Sequence, residues 1–486
     1  MAEKYRYGEY SQEDGHGYGS GASDGVVNLN TSSGRPGGYD DRDVFGHEEG
    51  HDIKYKTLGW PMVSVLMIAE IVSNGMLSLP SSLAVVGIVP GLILIIFLGV
   101  FATYTSWLLV KFKMQHPEVH NMVSMDRWKG SYFSGVENVL IRAQGDAGKI
   151  LFGPIGREVL AFGTVVFAVF ATGGQLLAGQ IAISALSNNS VCPMLGVGIY
   201  ALFTLAMSFP RTLDHMSWFS LASCISILVA GIVGMVGAGL HPTPNHEISI
   251  VQSTTFFDAF ISITNPVFAY AGHFMFFVMV SEMRKPQDAM KAAYTLQGFA
   301  TTYYVVFAAV TYAFIGNTVG SPSFISLTPL WQKAAFGAAL FNFWIAGALY
   351  AHTASKLCFV RIFRNSKHLH SHTLVGWGTW SILVIIFNGA AFVLAVGVPI
   401  FNYLIGIAAS LFAAWFTYGI AGMFWLHDSY HYENGVRTWK RKWFQTALAA
   451  FTVVAGAFIC VAGMYVTVRS IVEAYANGEI AAPFAC

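Results

Sequence analysis

The chain has 486 residues, of which 55% are hydrophobic and only 11% charged, less than half the charged share of about 25% in soluble domains. A formal net charge of +1 supplies no global field for nucleic acid or an acidic partner. Its five cysteines form no CxxC pair, which speaks against a metal ribbon or a disulfide scaffold.

Residues 1–53 are rich in Gly, Tyr, Asp, Ser and His and show no apolar periodicity. A segment of this kind buries too little apolar surface to offset chain entropy, and a disordered tail is expected. It lacks the apolar stretch of a signal peptide, so insertion falls to the first membrane span. From Leu58 onward come apolar runs long enough to cross about 30 Å of hydrocarbon. Their pattern places spans near 58–86, 89–112, 157–185, 193–210, 214–240, 256–281, 293–316, 334–361, 374–397, 399–426 and 443–471. The expected fold is an all-α integral membrane protein with about eleven spans in residues 54–476, followed by a short C-terminus, 477–486.

Charge fixes the expected orientation. With the N-terminus inside, 25 of the 27 Lys and Arg fall on the inner side, leaving only Lys333 and Arg469 outside. An asymmetry of this size follows the positive-inside rule, so the tail is cytoplasmic and the C-terminus extracellular. The sequon Asn188-Asn189-Ser190 falls in an outer loop, making Asn188 a candidate glycosylation site. Long connections at 113–156, with the amphipathic stretch Val136–Arg142, and at 317–333 follow the second span of each half. That symmetry fits inverted repeats of about 58–240 and 256–426, with 443–471 as an extra span.

Two spans carry helix breakers at depth. Span 1 reads Glu70-Ile71-Val72-Ser73-Asn74-Gly75-Met76-Leu77-Ser78-Leu79-Pro80, and span 6 reads Asn265-Pro266-Val267-Phe268-Ala269-Tyr270-Ala271-Gly272-His273. Paired interrupted segments in corresponding positions are the sequence pointer to a transport site. Non-helical backbone survives inside a bilayer only where protein or a wet cavity surrounds it. Freed N–H groups at a half-helix N-terminus suit a carboxylate, and freed carbonyls suit a cation or an ammonium. Structural kinks are the plain alternative.

Asn74-Gly75-Met76-Leu77-Ser78-Leu79-Pro80 resembles the Gly-x-Gly-[Ile/Val]-Leu-x-[Leu/Ile]-Pro signature of the amino acid/auxin permease family, with Asn74 in place of the first Gly. The stretch from Phe268 to His273, with the exit Ser281-Glu282-Met283-Arg284-Lys285-Pro286, is similar to that family's sixth span. Within the family the nearest resemblance is to fungal neutral amino-acid permeases of the methyltryptophan-resistance type. The resemblance covers residues 50–475 and implies the five-plus-five inverted repeat of the leucine-transporter superfamily. It implies a carboxylate site at Asn74, Gly75, Met76 and Leu77. Ser73 and the backbone of Phe268, Ala269, Tyr270, Ala271 and Gly272 would meet the ammonium and side chain.

Ionisable residues inside a membrane are functional candidates by default. Glu70 lies one turn before the break in span 1, and desolvation favours a neutral carboxylic acid, which suits proton exchange. In span 8, Thr353, Ser355 and Lys356 match where sodium-coupled members of the superfamily hold their ion. A fixed Lys356 charge there favours proton over sodium coupling, with a lysine snorkelling to the interface as the alternative. His273 and His352 titrate near neutral pH and are weighed as relay or packing residues. His368-x-His370-x-His372 and His427-Asp428-x-x-His431 lie in basic segments without an HExxH glutamate, so no metal is assigned. Gly231, Gly234 and Gly237 form a packing stripe.

The expected function is a secondary transporter importing neutral L-amino acids with protons, without a cofactor, across the plasma membrane or, as the alternative, the vacuolar membrane. A membrane enzyme needs a nucleophile–base pair that the sequence does not offer, and a channel needs rings of filter residues. An amino-acid sensor would share the binding chemistry and remains open at this stage.

Overall fold

The computed structural model describes residues 55–116, 147–363, 366–398 and 400–478, except the side chains of residues 214 and 215. The N-terminal tail, the Val136–Arg142 stretch and the C-terminal residues from 479 onward lie outside the described residues.

Among the described residues every regular element is a helix. In order these are α1 (Trp60–Ile71), α2 (Leu79–Val86), α3 (Ile88–Gln115), α4 (Ala147–Leu186), α5 (Pro193–Met207), α6 (Leu213–Leu240), α7 (Phe256–Ala269) and α8 (Phe276–Ser281). There follow α9 (Ala289–Ile315), α10 (Pro329–Phe363), α11 (Lys367–His370), α12 (Leu374–Gly397), α13 (Phe401–Ala408), α14 (Ile420–His431), α15 (Val436–Arg441) and α16 (Trp443–Ala476). Nine helical stretches among these residues are long and apolar enough to cross a bilayer, and the bent pair Trp60–Ile71 and Asn74–Val86 makes a tenth. The eleventh expected span is α5, whose 15 residues reach only about 22 Å. Pro193 starts it, and Ser208-Phe209-Pro210 forbids its extension.

Local sequence explains the interruptions. In α4, Gly153 adopts φ +67° beside Pro154, and this kink divides an approach segment from the span proper. Between α13 and α14 the chain widens into a π-helix over Ala409–Gly419. Its bulge is accommodated by α16, where a Cβ on Gly456 would stand 2.7 Å from the Ala414 carbonyl. The Gly231, Gly234 and Gly237 stripe of α6 receives Tyr303, Phe324 and Trp331, one aromatic ring per glycine. Phe324 belongs to the loop after α9 and is buried, so that loop is anchored among α6, α9 and α10.

The centre of the bundle is α10, packed against α4 and α6. Of the four half-length helices that flank the two breaks, α1 lies against α6 and α10, α2 and α7 pack on each other, and α8 packs on α3. The lipid-facing sides of α3, α6, α12 and α16 carry exposed Ile, Val, Leu and Phe, as a helix in hydrocarbon requires.

Candidate functional site

Both breaks predicted from glycine, proline and polar residues are present, and they touch. Helix α1 stops at Ile71, Ser73 takes the non-helical angles φ −145° and ψ −140°, and the chain resumes as a 3₁₀ turn over Asn74–Ser78. Helix α7 stops at Ala269 and resumes as a 3₁₀ turn over His273–Met275 leading into α8. A Cβ on Gly75 would lie 3.0 Å from the Ala269 Cα and 3.3 Å from the Phe268 ring. A Cβ on Gly272 would collide with Ile71 at 2.2 Å. Glycine lets the backbone at residue 75 lie against that of Ala269, and at residue 272 it makes room for the Ile71 side chain. Gly75→Ala is therefore expected to overpack the contact by about 1–3 kcal/mol and to reduce uptake at least tenfold. Gly298→Ala in α9, where a Cβ meets nothing within 4 Å, is the neutral control.

The break in span 1 is held by amide side chains from other spans. The Ser73 hydroxyl donates to Asn342 Oδ1 at 2.6 Å and lies 3.1 Å from Gln175 Oε1. Gln175 Nε2 donates to Asn74 Oδ1 at 3.0 Å, while Asn74 Nδ2 has no hydrogen-bond partner. Asn342 Nδ2 donates to the Ala69 carbonyl at 3.1 Å and to Ser223 at 3.0 Å. Ser73, Asn74, Gln175 and Asn342 are all fully buried, as are Met76 and Leu77 beside them. Tyr270 turns away from the break and donates to the Ile95 carbonyl of α3 at 3.1 Å. Phe268 and Ala271 are buried at the junction.

Glu70 sits as its sequence position implied, but without a counter-charge. Both carboxyl oxygens are buried and have no hydrogen-bond partner, and Oε1 is 3.6 Å from where a Gly272 Cβ would be. Its backbone carbonyl accepts from Tyr350 at 3.0 Å. His273 Nε2 donates to the Ala102 carbonyl at 2.9 Å and lies 2.8 Å from Ser106, which ties the break in span 6 to α3. His352 is buried edge-on to Trp380, with neither ring nitrogen hydrogen-bonded.

The three candidates on α10 lie apart from the span 1 break. Thr353 donates to Leu349 at 2.9 Å and faces Met275, while Ser355 donates to Ala351 at 2.8 Å. Lys356 forms a buried ion pair with Glu282, and its ammonium stands 4.6 Å from the centre of the Tyr55 ring. The α10 residues that do reach the break are Asn342 and Tyr350. Beside the Lys356–Glu282 pair the chain closes on itself, for Leu58 N–H donates to the Glu282 carbonyl at 3.2 Å and Arg284 N–H donates to the Leu58 carbonyl at 2.8 Å. Tyr55 donates to Leu369 at 3.1 Å, and Arg211 donates to His368 and Leu369. In the other histidine cluster Asp428 is shared by His116 at 3.2 Å and His427 at 3.3 Å. Asn188 is exposed with φ +54° in the turn after α4, and the neighbouring Cys192 is disulfide-bonded.

Sequence reasoning left Gln175, Asn342, Tyr304, Tyr350 and Glu282 without a role. The signal was present, since each is a polar side chain within an apolar segment and such groups seek partners on other helices. Their partners could not be read from spacing along one chain.

The architecture is shared with solved transporters. A sodium-coupled sialic acid symporter in a substrate-bound outward-open state matches 87% of this chain and 92% of its own, with a TM-score of 0.51 at 11% identity. MhsT in complex with L-phenylalanine matches 86% of this chain and all of its own, with a TM-score of 0.52 at 12% identity. At these identities the likeness concerns the fold alone. In sequence the chain is 28% identical over 455 residues to a transmembrane transporter of Fusarium pseudograminearum, covering 92% of this chain and 90% of the relative. It is 27% identical, over 90% of both chains, to the N amino acid transport system protein of Neurospora crassa. Residues 56–469 match the family described as transmembrane amino acid transporter protein, and the chain belongs to that family.

Proposed function

We propose that this protein carries neutral L-amino acids across its membrane together with protons, by alternating access around the two helix breaks. The observation that carries the proposal is Glu70: a fully buried carboxyl group, unpaired, against the backbone of the span 6 break. An ionised carboxylate in that position has nothing to compensate its desolvation, so the closed state holds the neutral acid. Loss of the proton requires water, and water arrives only when the breaks part. Proton movement and opening of the site are thereby linked.

Neutral substrates follow from what surrounds the breaks. Phe268, Phe274, Tyr304 and Tyr350 are buried there, and Lys356 on α10 is paired with Glu282. An anionic substrate side chain would meet no free cation among these residues, and Glu70, held as the neutral acid, offers no charge to a cationic one. At the far end of the outer half-helices a cleft of about 260 Å³, lined by Ala84, Val85, Gln252, Thr254, Asp258 and Ile261, suits an entrance. The disulfide at Cys192 supports an oxidising compartment on that face, in agreement with a cytoplasmic tail. The name of the Neurospora relative, an amino acid transport system protein, points the same way. Asn188 on this face is proposed as the glycosylation site.

The test is uptake of a panel of labelled amino acids into proteoliposomes, with a pH gradient or a sodium gradient imposed separately. Accumulation of aliphatic and aromatic amino acids driven by the pH gradient alone is the expected outcome. Accumulation that follows sodium and ignores pH would refute proton coupling.

A further inference from the structure

At the break in span 1, three successive backbone carbonyls accept hydrogen bonds from neutral side chains of other helices. Ala69 accepts from Asn342, and Glu70 accepts from Tyr350. Ile71 accepts from the Tyr304 hydroxyl at 2.9 Å and from the Ser73 N–H at 3.0 Å. The same hydroxyl lies 2.8 Å from the Ala269 carbonyl, the last of α7 before the span 6 break. Tyr304 comes from α9, is fully buried, and meets Tyr270 edge-on with ring centres 5.2 Å apart. One phenolic oxygen on a third helix therefore bridges the two breaks.

A hydroxyl has one proton and cannot satisfy both carbonyls at once. An ammonium has three N–H donors and a positive charge, and its bonds to carbonyl oxygens are roughly twice as strong as neutral ones. We propose that the Tyr304 hydroxyl is the stand-in for the substrate ammonium: it joins the Ile71 and Ala269 carbonyls in the empty carrier and is displaced when an amino acid binds. The inference rests on reading this junction as the amino-acid site and adds to it the residue that fills the site between cycles. Tyr304 then has two opposed effects. It competes with substrate, and it lets the empty carrier close without leaving the carbonyl pair unsatisfied. An empty carrier must close and return in net uptake but not in homo-exchange, so the two fluxes depend on Tyr304 differently.

In proteoliposomes, Tyr304→Phe is expected to reduce net uptake by on the order of tenfold or more, because the buried Ala269 carbonyl loses its side-chain donor and the Ile71 carbonyl keeps only the Ser73 N–H in the empty occluded state. Homo-exchange should stay within about twofold of wild type, and the Kd for labelled amino acid should tighten by up to about tenfold as the competing donor disappears. The affinity ratio between an amino acid and its 2-hydroxy analogue, which lacks the ammonium, should rise in the variant. Tyr304→Gln keeps a neutral donor and should retain more net uptake, with a ratio close to wild type; Tyr304→Leu, which has no donor, supplies the ratio if Tyr304→Phe does not fold. Parallel loss of both fluxes with an unchanged Kd, or a ratio equal to wild type in whichever donorless variant folds, would overturn the inference while leaving the amino-acid site intact. A wild-type protein that binds no amino acid would overturn the site and the inference together.

Discussion

Glu70→Gln is expected to abolish concentrative uptake while leaving exchange largely intact. The carboxamide has nearly the volume of the acid, so packing against Gly272 is retained, but the side chain can no longer release a proton. A difference of one pH unit is worth about 1.4 kcal/mol per proton, or about tenfold accumulation for one proton per substrate. The variant should accumulate to a ratio of about one at any imposed gradient, against about ten in wild type per pH unit. Labelled substrate inside vesicles of known volume measures this directly. A pH-driven ratio that persists in the variant would move the coupling group elsewhere, with His273 the next candidate because it too sits at a break.

The second large effect concerns the Glu282–Lys356 pair. Both side chains are essentially inaccessible, at 0% and 2% exposure, so each charge compensates much of the other's desolvation, with the Tyr55 ring over the ammonium. Removing one member of such a pair leaves an uncompensated charge and costs about 3–5 kcal/mol, whereas replacing both by apolar residues of similar size is often neutral or stabilising. Lys356→Met and Glu282→Met are each expected to lower thermal stability sharply. The double variant should recover most of it. The pair joins the exit of span 6 to α10 beside the clasp between Leu58 and Arg284, so it must part if that face opens. The double variant should therefore expose a cysteine placed at residue 58 to membrane-impermeant thiol reagents added from the tail side faster than wild type does. Stability that is additive across the two single variants would mean that the charges are solvated separately.

Much of this was legible in the sequence because membrane folding leaves few options. Apolar length gives the spans, loop charge gives an orientation, and Ser73-Asn74-Gly75 with Tyr270-Ala271-Gly272 marks where helices cannot continue. Where the reading fell short, the reason is that partners across helices are set by tertiary packing. Gln175 and Asn342 look like isolated polar residues until α4 and α10 bring them to Ser73 and Asn74. Lys356 had the right depth for an ion substitute, but its direction on α10 sends it to Glu282, which spacing alone could not reveal. The length of α5 was likewise readable from Pro193 and Pro210, yet its apolar content alone suggests a full span.

If two parted helices grip the charged ends of an amino acid through their own peptide groups, both ends must be present for binding. Counterflow of a labelled neutral amino acid in proteoliposomes, challenged with its N-acetyl and carboxamide derivatives, tests it most directly. Robust counterflow that neither derivative inhibits, because each lacks one charged end, is the result this account predicts. Equal inhibition by the parent amino acid and both derivatives, or no counterflow at all, would contradict it.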